Sequence, residues 1–519
     1  MAAPAAYRGW KHVLLWGGVL LLLMLRVPLL WQTGEFVSED GWVFFAGAFN
    51  APWYESLVTP FAGYFRLEAR LFAELISPLP WGTQPYAYAM GGLSLNALVL
   101  SLFYLPGFRH LVASDGHRLA IVGLLALAPN AENLGLLTGM HWYLGFALTL
   151  ILVIDPPSHW QGRVALVLGS SLCVWSSPSA LVLFPVFVLR ALKVTDPFLR
   201  RWTTAVVLQL VLCAVAVLVF RGTEGTRSDE FDRGVIYGAV EHLMVRGWFT
   251  VGLWGRGISE YLVNLSPRLV DLLGWVTMSV LAGMMWRTRH GREVGPILLV
   301  VAAGMMTTLS LTRTLYIGEL AELDLPRHVR YLTTSTLILI LVAWITIGRV
   351  LGDRSPKLWW MLVGIHAVVL SLGLSAERHW ARPPGEFRFR DHIMAIENFR
   401  EDYVETRRQG SLYLPNDVPY WGPVLESEDG QLHHPEDGLL VALILPENSD
   451  GWVDSWLGRF RILEDNKRLD HENWGRLTYT GTEMGRVWFV DDSGRQIFTS
   501  RLLYPRAWMV DGLDMQLIP

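Results

Sequence analysis

Apolar residues occur in long runs over most of the chain, and polar positions separate these runs into blocks. Because about 20 apolar residues cross a bilayer as a helix, the pattern predicts about eleven membrane-spanning helices. The predicted spans are 13–31, 86–105, 119–128 (continuing towards 137), 141–154, 164–175, 180–192, 202–220, 269–286, 294–311, 331–347 and 358–374. The first run follows Arg8, Lys11 and His12 and has no small-residue cleavage site, so we expect a retained helix and not a removed signal peptide.

The pattern changes after residue 376. Past the 382–385 break, residues 391–410 predict one amphipathic helix. Short alternating segments bounded by turn residues then predict strands at 411–415, 439–445, 476–480, 486–491 and 496–503. The sequence therefore predicts a mainly α fold class: a polytopic membrane helix bundle over 1–376, followed by a β-rich (α+β) domain over 377–519, large enough for a core of its own.

Composition agrees with this division. Of the 519 residues, 52% are hydrophobic and 17% are charged, whereas soluble domains carry about 25% charged residues. Between Glu377 and Pro519 there are 25 acidic and 16 basic residues, so the tail is polar and acidic. These features exclude an ordinary cytosolic enzyme, and the absence of a long basic run gives no support for nucleic-acid binding. Cys173 and Cys213 lie inside apolar runs, so we expect no disulfide framework and no zinc site.

Basic residues predict the orientation. Alternate short loops carry Arg or Lys and should be cytoplasmic together with the N-terminus; these are 107–118, the turn at Arg163, 190–201, 286–292 and 348–357. The other side receives two turns without Lys or Arg, 129–140 and 176–179, and three longer segments, 32–85, 221–268 and 313–330. With an odd number of spans, the sequence predicts a multi-pass protein of the inner (plasma) membrane with an extracytoplasmic C-terminal domain.

Two segments of the long outer loops have the pattern of helices that lie in the membrane interface. In 65–76, the residues of the apolar face are Phe65, Leu67, Leu71, Phe72, Leu75 and Ile76, and those of the charged face are Arg66, Glu68, Arg70 and Glu74. The segment 234–263 mixes aromatic residues with isolated charges in a similar way. We expect the two helices to form a platform over a cavity at membrane level, although anchoring by aromatic residues alone is equally compatible with the pattern.

The outer loops contain three clusters of polar residues, and the first follows the first span directly. Glu39 and Asp40 stand side by side within Ser38–Trp42. A carboxylate at the membrane boundary can accept a proton from a hydroxyl group or bind a divalent cation such as Mg²⁺ or Mn²⁺. Taken alone, the pair is more often a cap for the following helix.

The second cluster comprises Glu132, Asn133, His141 and Trp142 at the start of a span. Ionisable groups near membrane depth are costly and tend to face a cavity, so these side chains could orient a polar ligand, with Trp142 stacking on a sugar ring. An interfacial Trp-Tyr pair beside a hydrogen-bonded histidine is an equally good interpretation.

The third cluster comprises Arg313, Arg327, His328, Arg330 and Tyr331, where the chain re-enters the bilayer on the outer side. Positive charge is disfavoured on that side, and the planar fork of arginine suits the oxygens of a phosphate. We favour phosphate binding over snorkelling towards anionic headgroups.

These three clusters, in this order on this topology, resemble the GT-C superfamily of integral-membrane glycosyltransferases over about residues 10–376. The resemblance implies a sugar donor linked to polyprenyl phosphate, an acceptor that is a glycan, lipid or protein, and transfer at the extracytoplasmic face among membrane lipids. The two acids are not spaced as a DxD motif, which leaves open whether one or both act and whether a divalent cation takes part.

The resemblance also implies roles for single residues. Asp40 is the first candidate for the catalytic base and Glu39 the alternative. Arg330 is the first candidate for binding the donor phosphate, followed by Arg327, Arg313 and His328. The substrate-binding candidates are Glu132, Asn133, His141, Trp142 and Tyr331, with His141 contacting either the donor phosphate or the acceptor.

Two other classes of function compete with the enzyme. A transporter or flippase of lipid-linked glycans should show symmetry between its halves and broken helices near the middle of the membrane, and we find no convincing repeat. A surface-polysaccharide polymerase or ligase needs the same base and phosphate-binding groups and is the closest enzyme rival. A non-catalytic scaffold with a sugar-binding tail would not explain the acidic and arginine-rich loops.

Overall fold

The structure is a computed structural model. The described residues are 9–32, 36, 40–45, 47–48, 52–60, 65–130, 133–220, 242–287, 329–351, 355–374 and, beyond residue 410, the strand residues given below. Within the part up to residue 374 the chain is mainly helical and no strand is described. A run of apolar residues long enough to span a bilayer satisfies its backbone polar groups best as a helix, which accounts for this content.

The α-helices are α1 (Gly9–Arg26), α2 (Pro28–Gln32), α3 (Trp53–Val58), α4 (Leu67–Ile76), α5 (Gln84–Ser101), α6 (Asp115–Ala126), α7 (Met140–Val153), α8 (Trp160–Ser176), α9 (Phe184–Lys193), α10 (Pro197–Phe220), α11 (Leu253–Leu265), α12 (Pro267–Arg287), α13 (Val329–Leu351) and α14 (Pro356–Ser371). Two segments are π-helical, Asp40–Phe45 and His242–Gly252. Short 3₁₀ turns lie at Trp81–Thr83, Leu102–Tyr104, Pro106–Phe108 and Pro178–Leu183.

Ten of the eleven predicted spans overlap described helices, and the eleventh, 294–311, lies outside the described residues. Among the described residues, five helices are long and apolar enough to cross a membrane: Gly9–Arg26, Gln84–Tyr104, Pro197–Ala216, Pro267–Arg287 and Leu332–Leu351. Two shorter apolar helices are Met140–Val153 and Pro356–Ser371. The fold is therefore consistent with a membrane protein, while the count of eleven spans and the orientation stay predictions.

Several helices present apolar side chains on their outer surface. On α10 the exposed residues are Leu208, Val211, Leu212, Val215, Leu218 and Val219, and on α14 they are Trp360, Met361, Ile365, Val368 and Leu372. In water such contiguous apolar surface is an aggregation liability, whereas hydrocarbon solvates it at no cost. The exposed faces therefore suit a lipid environment.

By contacts, the chain divides into two compact units, one of residues 1–28, 60–68 and 91–381 and the other of residues 29–59, 69–90 and 382–519. At the centre of the first unit lie α7 and α13, which pack against each other. Twelve of the fourteen residues of α7 are buried, and so is the stretch from Leu332 to Ile345 of α13. The α7 helix is apolar on all sides, which is typical of a helix that is surrounded by other helices.

The carboxyl end of α7 is held by an arginine from α9. Arg190 donates hydrogen bonds to the carbonyl oxygens of Ile151 and Ile154 at 3.4 and 3.0 Å, and its guanidinium lies 5.5 Å from the ring centroid of Trp202. A cation at this end also opposes the negative pole of the helix dipole.

The predicted interfacial segment 234–263 is helical in its described part, and its place at a membrane surface stays a prediction. The chain from His242 to Leu265 packs against α12 and α13. Trp248 is 2% exposed and donates a hydrogen bond to the carbonyl oxygen of Ser335 at 2.7 Å. This aromatic residue therefore belongs to the core, where its indole N–H has a partner.

Beyond residue 410 the structure describes strands at β1 (Ser411–Tyr413), β2 (Val424–Glu426), β3 (Val453–Ser455), β4 (Gly458–Ile462), β5 (Arg468–His471), β6 (Gly475–Glu483), β7 (Arg486–Val490), β8 (Gln496–Ser500), β9 (Ala507–Asp511) and β10 (Asp514–Ile518). Strands β3 to β8 pair in sequence order as an antiparallel meander. The β6–β7 register places Tyr479 opposite Phe489 and shifts by a bulge between Tyr479 and Gly481.

Several of these strands overlap predicted ones, at 411–415, 476–480, 486–491 and 496–503. The predicted helix 391–410 and strand 439–445 lie outside the described residues. The separate β-rich domain over 377–519 stays a prediction.

Candidate functional site

The predicted site residues fall into three groups in the structure. Asp40, Asn133, His141 and Trp142 are described, and Arg330 and Tyr331 lie in the first turn of α13. The others lie outside the described residues: Glu39, Glu132, Arg313, Arg327 and His328.

The segment 133–142, which carries most of the second cluster, is fastened to α5. Asn96 accepts a hydrogen bond from the backbone N–H of Gly135 at 2.8 Å and lies 3.3 Å from the sulfur of Met140. Asn96 is fully buried, so its amide depends on these partners in place of water. Gly135 has φ +72°, in the left-handed region that favours glycine.

The same segment is joined to the start of α13. Asn133 donates a side-chain hydrogen bond to the hydroxyl of Thr333 at 2.7 Å, and the hydroxyl of Thr334 donates to the carbonyl oxygen of Trp142 at 2.5 Å. Both threonines are buried, and both follow closely after Arg330 in the chain. The structure therefore brings the backbone that carries the second cluster to the helix turn that carries Arg330.

His141 and Trp142 open α7 side by side. His141 is 8% exposed, its Nδ1 lies 2.8 Å from the carbonyl oxygen of Thr138, and its ring centroid lies 4.4 Å from that of Trp142. The indole of Trp142 is half-buried. An imidazole and a partly exposed indole at one helix end provide a polar and a flat apolar surface for one ligand.

Two buried arginines outside the predicted site residues hold the chain around this segment, one at residues 126–130 just before it and one at Thr138. Arg26, the last residue of α1, is 2% exposed and donates to the carbonyl oxygens of Ala126 and Ala128 at 2.5 and 3.0 Å. It also lies 3.4 Å from the side-chain oxygen of Asn130. A charged residue inside an otherwise apolar span was the available signal, because such residues face the interior of a membrane protein.

The second arginine is Arg66, which is 1% exposed. It donates to the carbonyl oxygen of Thr138 and lies 3.3 Å from the hydroxyl of the same residue. Its Nε lies 3.7 Å from Oε1 of Glu68, and the backbone N–H of Glu68 donates to the hydroxyl of Ser176 at 3.1 Å. The two opposite charges compensate each other, so the pair costs less than an isolated buried charge.

The two predicted faces of the α4 region differ in burial. Arg66, Glu68 and Arg70 are buried, with exposures of 1%, 4% and 3%, whereas Leu71 and Leu75 are 43% and 75% exposed. The sequence correctly separates an apolar and a charged face, but the charged face is the one turned inward. This arrangement is expected where the surroundings of the protein are apolar.

Asp40 belongs to the second compact unit and is 2% exposed. Within that unit Arg70 lies 5.9 Å from the ring centroid of Phe44. Asp40, Arg70 and Glu74 all interact electrostatically with the hydroxyl of Tyr88. The predicted base is therefore a buried carboxyl group with ionisable neighbours, and it also begins the helical segment Asp40–Phe45, as the cap interpretation expects.

The predicted metal site is tested only in part. Among the residues that the structure describes, no group of three or more His, Cys, Asp or Glu side chains converges to hold a metal ion. Glu39, the partner of Asp40 in the predicted site, lies outside those residues. A divalent cation at Glu39 and Asp40 therefore stays a prediction.

Among the described residues of the first unit, a polar region is built on segment 133–142, which is held by Arg66, by α5 and by Thr333 of α13, while Arg26 holds the preceding residues 126–130. Buried arginines, a histidine and a half-buried tryptophan give it the means to bind a polar molecule through hydrogen bonds and stacking. Comparison of the chain with protein-family models, with curated proteins and with solved structures gives no match.

Proposed function

We propose that the protein is a membrane glycosyltransferase of the GT-C type that moves a sugar from a polyprenyl-phosphate donor to a cell-surface glycan, lipid or protein. The observation that carries the proposal is a pair of hydrogen bonds: Asn133 donates to the hydroxyl of Thr333, and the hydroxyl of Thr334 donates to the carbonyl oxygen of Trp142. They join two of the three clusters that carry the resemblance. A scaffold protein has no need to hold a histidine, an indole and the turn bearing Arg330 in one region.

The chemistry of transfer assigns the roles. A hydroxyl oxygen of the acceptor attacks the anomeric carbon of the donor, and the bond between that carbon and the phosphate oxygen breaks. The hydroxyl proton passes to the carboxylate of Asp40, with Glu39 as the alternative base. The electron pair of the broken bond leaves with the polyprenyl phosphate, whose negative charge Arg330 stabilises, assisted by Arg327, Arg313 and His328.

The remaining polar residues bind the two substrates. Asn133, His141, Glu132 and Tyr331 offer hydrogen bonds, and the indole of Trp142 offers a stacking surface for a sugar ring. The exposed leucines of α4 provide an apolar surface that suits a polyprenyl chain. A divalent cation bound by Glu39 and Asp40 would supply further stabilisation of phosphate charge.

The proposal includes the whole-chain architecture. About eleven spans over residues 1–376 place the polar clusters on the extracytoplasmic side of the inner (plasma) membrane, with the N-terminus in the cytoplasm. Residues 377–519 form an extracytoplasmic β-rich domain. The lengths of α1, α5, α10, α12 and α13, together with the exposed apolar faces, support the membrane location.

A first experiment identifies the sugar and the acceptor. Surface glycans of cells with and without the gene are compared by mass spectrometry, and we expect one sugar mass to be missing without the gene. Restoring the natural gene should restore that mass. Unchanged glycans on every surface component contradict a transfer function.

A second experiment tests the base. The full chain in liposomes receives a panel of synthetic polyprenyl-phosphate hexoses and pentoses, with membranes of the deletion strain as the source of acceptor, and released polyprenyl phosphate is measured. Asp40→Asn should lower the rate about 10²- to 10⁴-fold, the contribution of a positioned base. Asp155→Asn, which changes a carboxyl group that is 58% exposed, is the matched control and should leave the rate unchanged.

The outcomes separate the rival functions. Near-normal transfer by Asp40→Asn removes Asp40 from the role of base. If no donor releases polyprenyl phosphate but an intact lipid-linked glycan crosses the bilayer, the protein is a transporter. Release of polyprenyl diphosphate from a lipid-linked oligosaccharide identifies a polymerase or ligase.

A further inference from the structure

One buried side chain beside the polar region has a hydrogen-bond donor without an acceptor. Asn130 is 2% exposed, and among the residues that the structure describes none accepts a hydrogen bond from its side-chain nitrogen, Nδ2. Buried donors are nearly always paired with protein atoms, ordered water or a ligand. Because a carboxamide nitrogen carries two N–H groups, this position offers donors to a bound molecule.

Arg26 determines which way this carboxamide faces. Its guanidinium lies 3.4 Å from the side-chain oxygen of Asn130 and also donates to the carbonyl oxygens of Ala126 and Ala128. A guanidinium group only donates hydrogen bonds. Turning the carboxamide over would bring its N–H groups against those of Arg26, so the oxygen faces Arg26 and the nitrogen faces away from it.

The backbone places Asn130 next to the second cluster. The backbone N–H of Asn133 donates to the carbonyl oxygen of Asn130 at 3.0 Å, so the two asparagines are adjacent. The side chain of Asn133 in turn donates to the hydroxyl of Thr333 at 2.7 Å, three residues after Arg330 on α13. The unpaired donor of Asn130 therefore lies beside the part of the polar region that joins the second cluster to α13.

We propose that Asn130 is a further substrate-binding residue, whose side-chain N–H groups donate a hydrogen bond to an oxygen atom of the lipid-linked sugar donor. The identity of this substrate rests on the proposed function. Phosphate oxygens and sugar oxygens both accept hydrogen bonds, and the binding probes described next distinguish the two sources. A buried donor gives specificity, because a molecule without an oxygen at that position leaves the N–H groups unpaired.

Asn130→Asp separates this role from a purely structural one. Aspartate has the shape of asparagine and keeps an oxygen towards Arg26, whereas its second oxygen replaces the N–H donors by an acceptor. Asn130→Ala removes both groups. If Asn130 serves only to hold Arg26, the aspartate variant binds substrate normally and the alanine variant alone is impaired, which overturns the proposal.

Binding to the full chain is measured by native mass spectrometry, with polyprenyl phosphate and the polyprenyl-phosphate sugars of the donor panel as probes. Asn130→Asp should weaken binding about 10- to 100-fold, because it loses a hydrogen bond and opposes one oxygen to another. In the transfer assay the same variant should raise the KM for the donor by a similar factor, with a smaller change in kcat. Asn264→Asp, the same change at an exposed position of α11, is the matched control and should alter neither quantity.

The pattern across the probes identifies the oxygen. Weaker binding of every probe, polyprenyl phosphate included, assigns Asn130 to the phosphate, and weaker binding of the sugar-bearing probes alone assigns it to the sugar. Binding by Asn130→Asp equal to that of the natural protein overturns the proposal and leaves an ordered water as the partner of the amide.

Donor analogues that each lack one oxygen give a second test, which does not depend on the folding of Asn130→Asp. The natural protein should bind one of these analogues about 10- to 100-fold more weakly than the donor. The loss should be absent in Asn130→Ala, because the missing oxygen and the missing amide belong to one interaction. An equal loss in both proteins overturns the proposal. If polyprenyl phosphate binds through Asn130 but no sugar is transferred, the proposed function fails while the binding role stands.

Discussion

Segment 133–142 and α5 approach each other closely at two glycine residues. A Cβ atom at Gly92 would lie 2.3 Å from the carbonyl oxygen of Gly135, a separation that real Cβ atoms do not show. The hydrogen bond from the Gly135 N–H to Asn96 depends on the same close approach. The contact therefore needs glycine at both positions: at Gly92 because a Cβ would clash, and at Gly135 because its φ is positive.

Replacing Gly92 by alanine should lower the free energy of unfolding by about 1–3 kcal/mol, the usual cost of overpacking an interior. Thermal unfolding in detergent measures the effect. Gly123→Ala is the control, because no atom lies within 4 Å of a Cβ placed at this helical glycine; it should stabilise by up to about 1 kcal/mol. Equal stability of the two variants would show that the α5 contact is not tight.

Sequence reasoning singled out the candidate side chains here but not the residues that position them. His141, Trp142 and Asn133 stand out because polar and aromatic groups at a span end are conspicuous. Gly92 and Thr333 are ordinary residues for a membrane helix, and their roles arise from contacts with residues distant in the chain. The local sequence pattern gives no information about such contacts.

At the scale of the element, α4 shows why an amphipathic pattern is ambiguous in a membrane protein. In water, the apolar face of a helix turns inward and the charged face turns outward. In a bilayer the surroundings are apolar, so an exposed Leu75 and a buried Arg70 are the stable arrangement, provided that the charge has partners. The sequence therefore predicts an apolar and a charged face. Which of them is exposed depends on whether water or lipid surrounds the helix.

Spin labels can establish the surroundings of α4. A label at Leu75→Cys, on the natural background with its two buried thiols, should collide more often with oxygen, which concentrates in hydrocarbon, than with a water-soluble nickel complex. A label at Lys193→Cys, an exposed position at the end of α9, should show the opposite preference. Preferential collision of the Leu75→Cys label with the nickel complex would place this face of α4 in water.

At the scale of the whole molecule, the apolar runs predicted the helices well, because a run of this length has few alternatives to a helix. The number of membrane-spanning helices is harder to predict from the apolar runs. Predicted spans such as 119–128 and 180–192 coincide with helices of only 12 and 10 residues, α6 and α9, and at 1.5 Å per residue these do not cross about 30 Å of hydrocarbon unaided. The orientation is predicted independently of the number of spans, from the basic residues of the short loops.

Because both native cysteines are buried, introduced cysteines can report the orientation of the chain in the membrane with little background labelling. Cys173 and Cys213 are buried free thiols, so the natural protein should react little with a membrane-impermeant maleimide. A cysteine at Ser493, in the C-terminal part, should be labelled in intact cells because the tail is predicted to be extracytoplasmic. A cysteine at Arg109, whose side chain is 47% exposed in a predicted cytoplasmic loop, should be labelled only after the membrane is permeabilised. The reverse labelling pattern would invert the topology and place the polar region built on segment 133–142 on the cytoplasmic side, where an extracytoplasmic acceptor could not reach it.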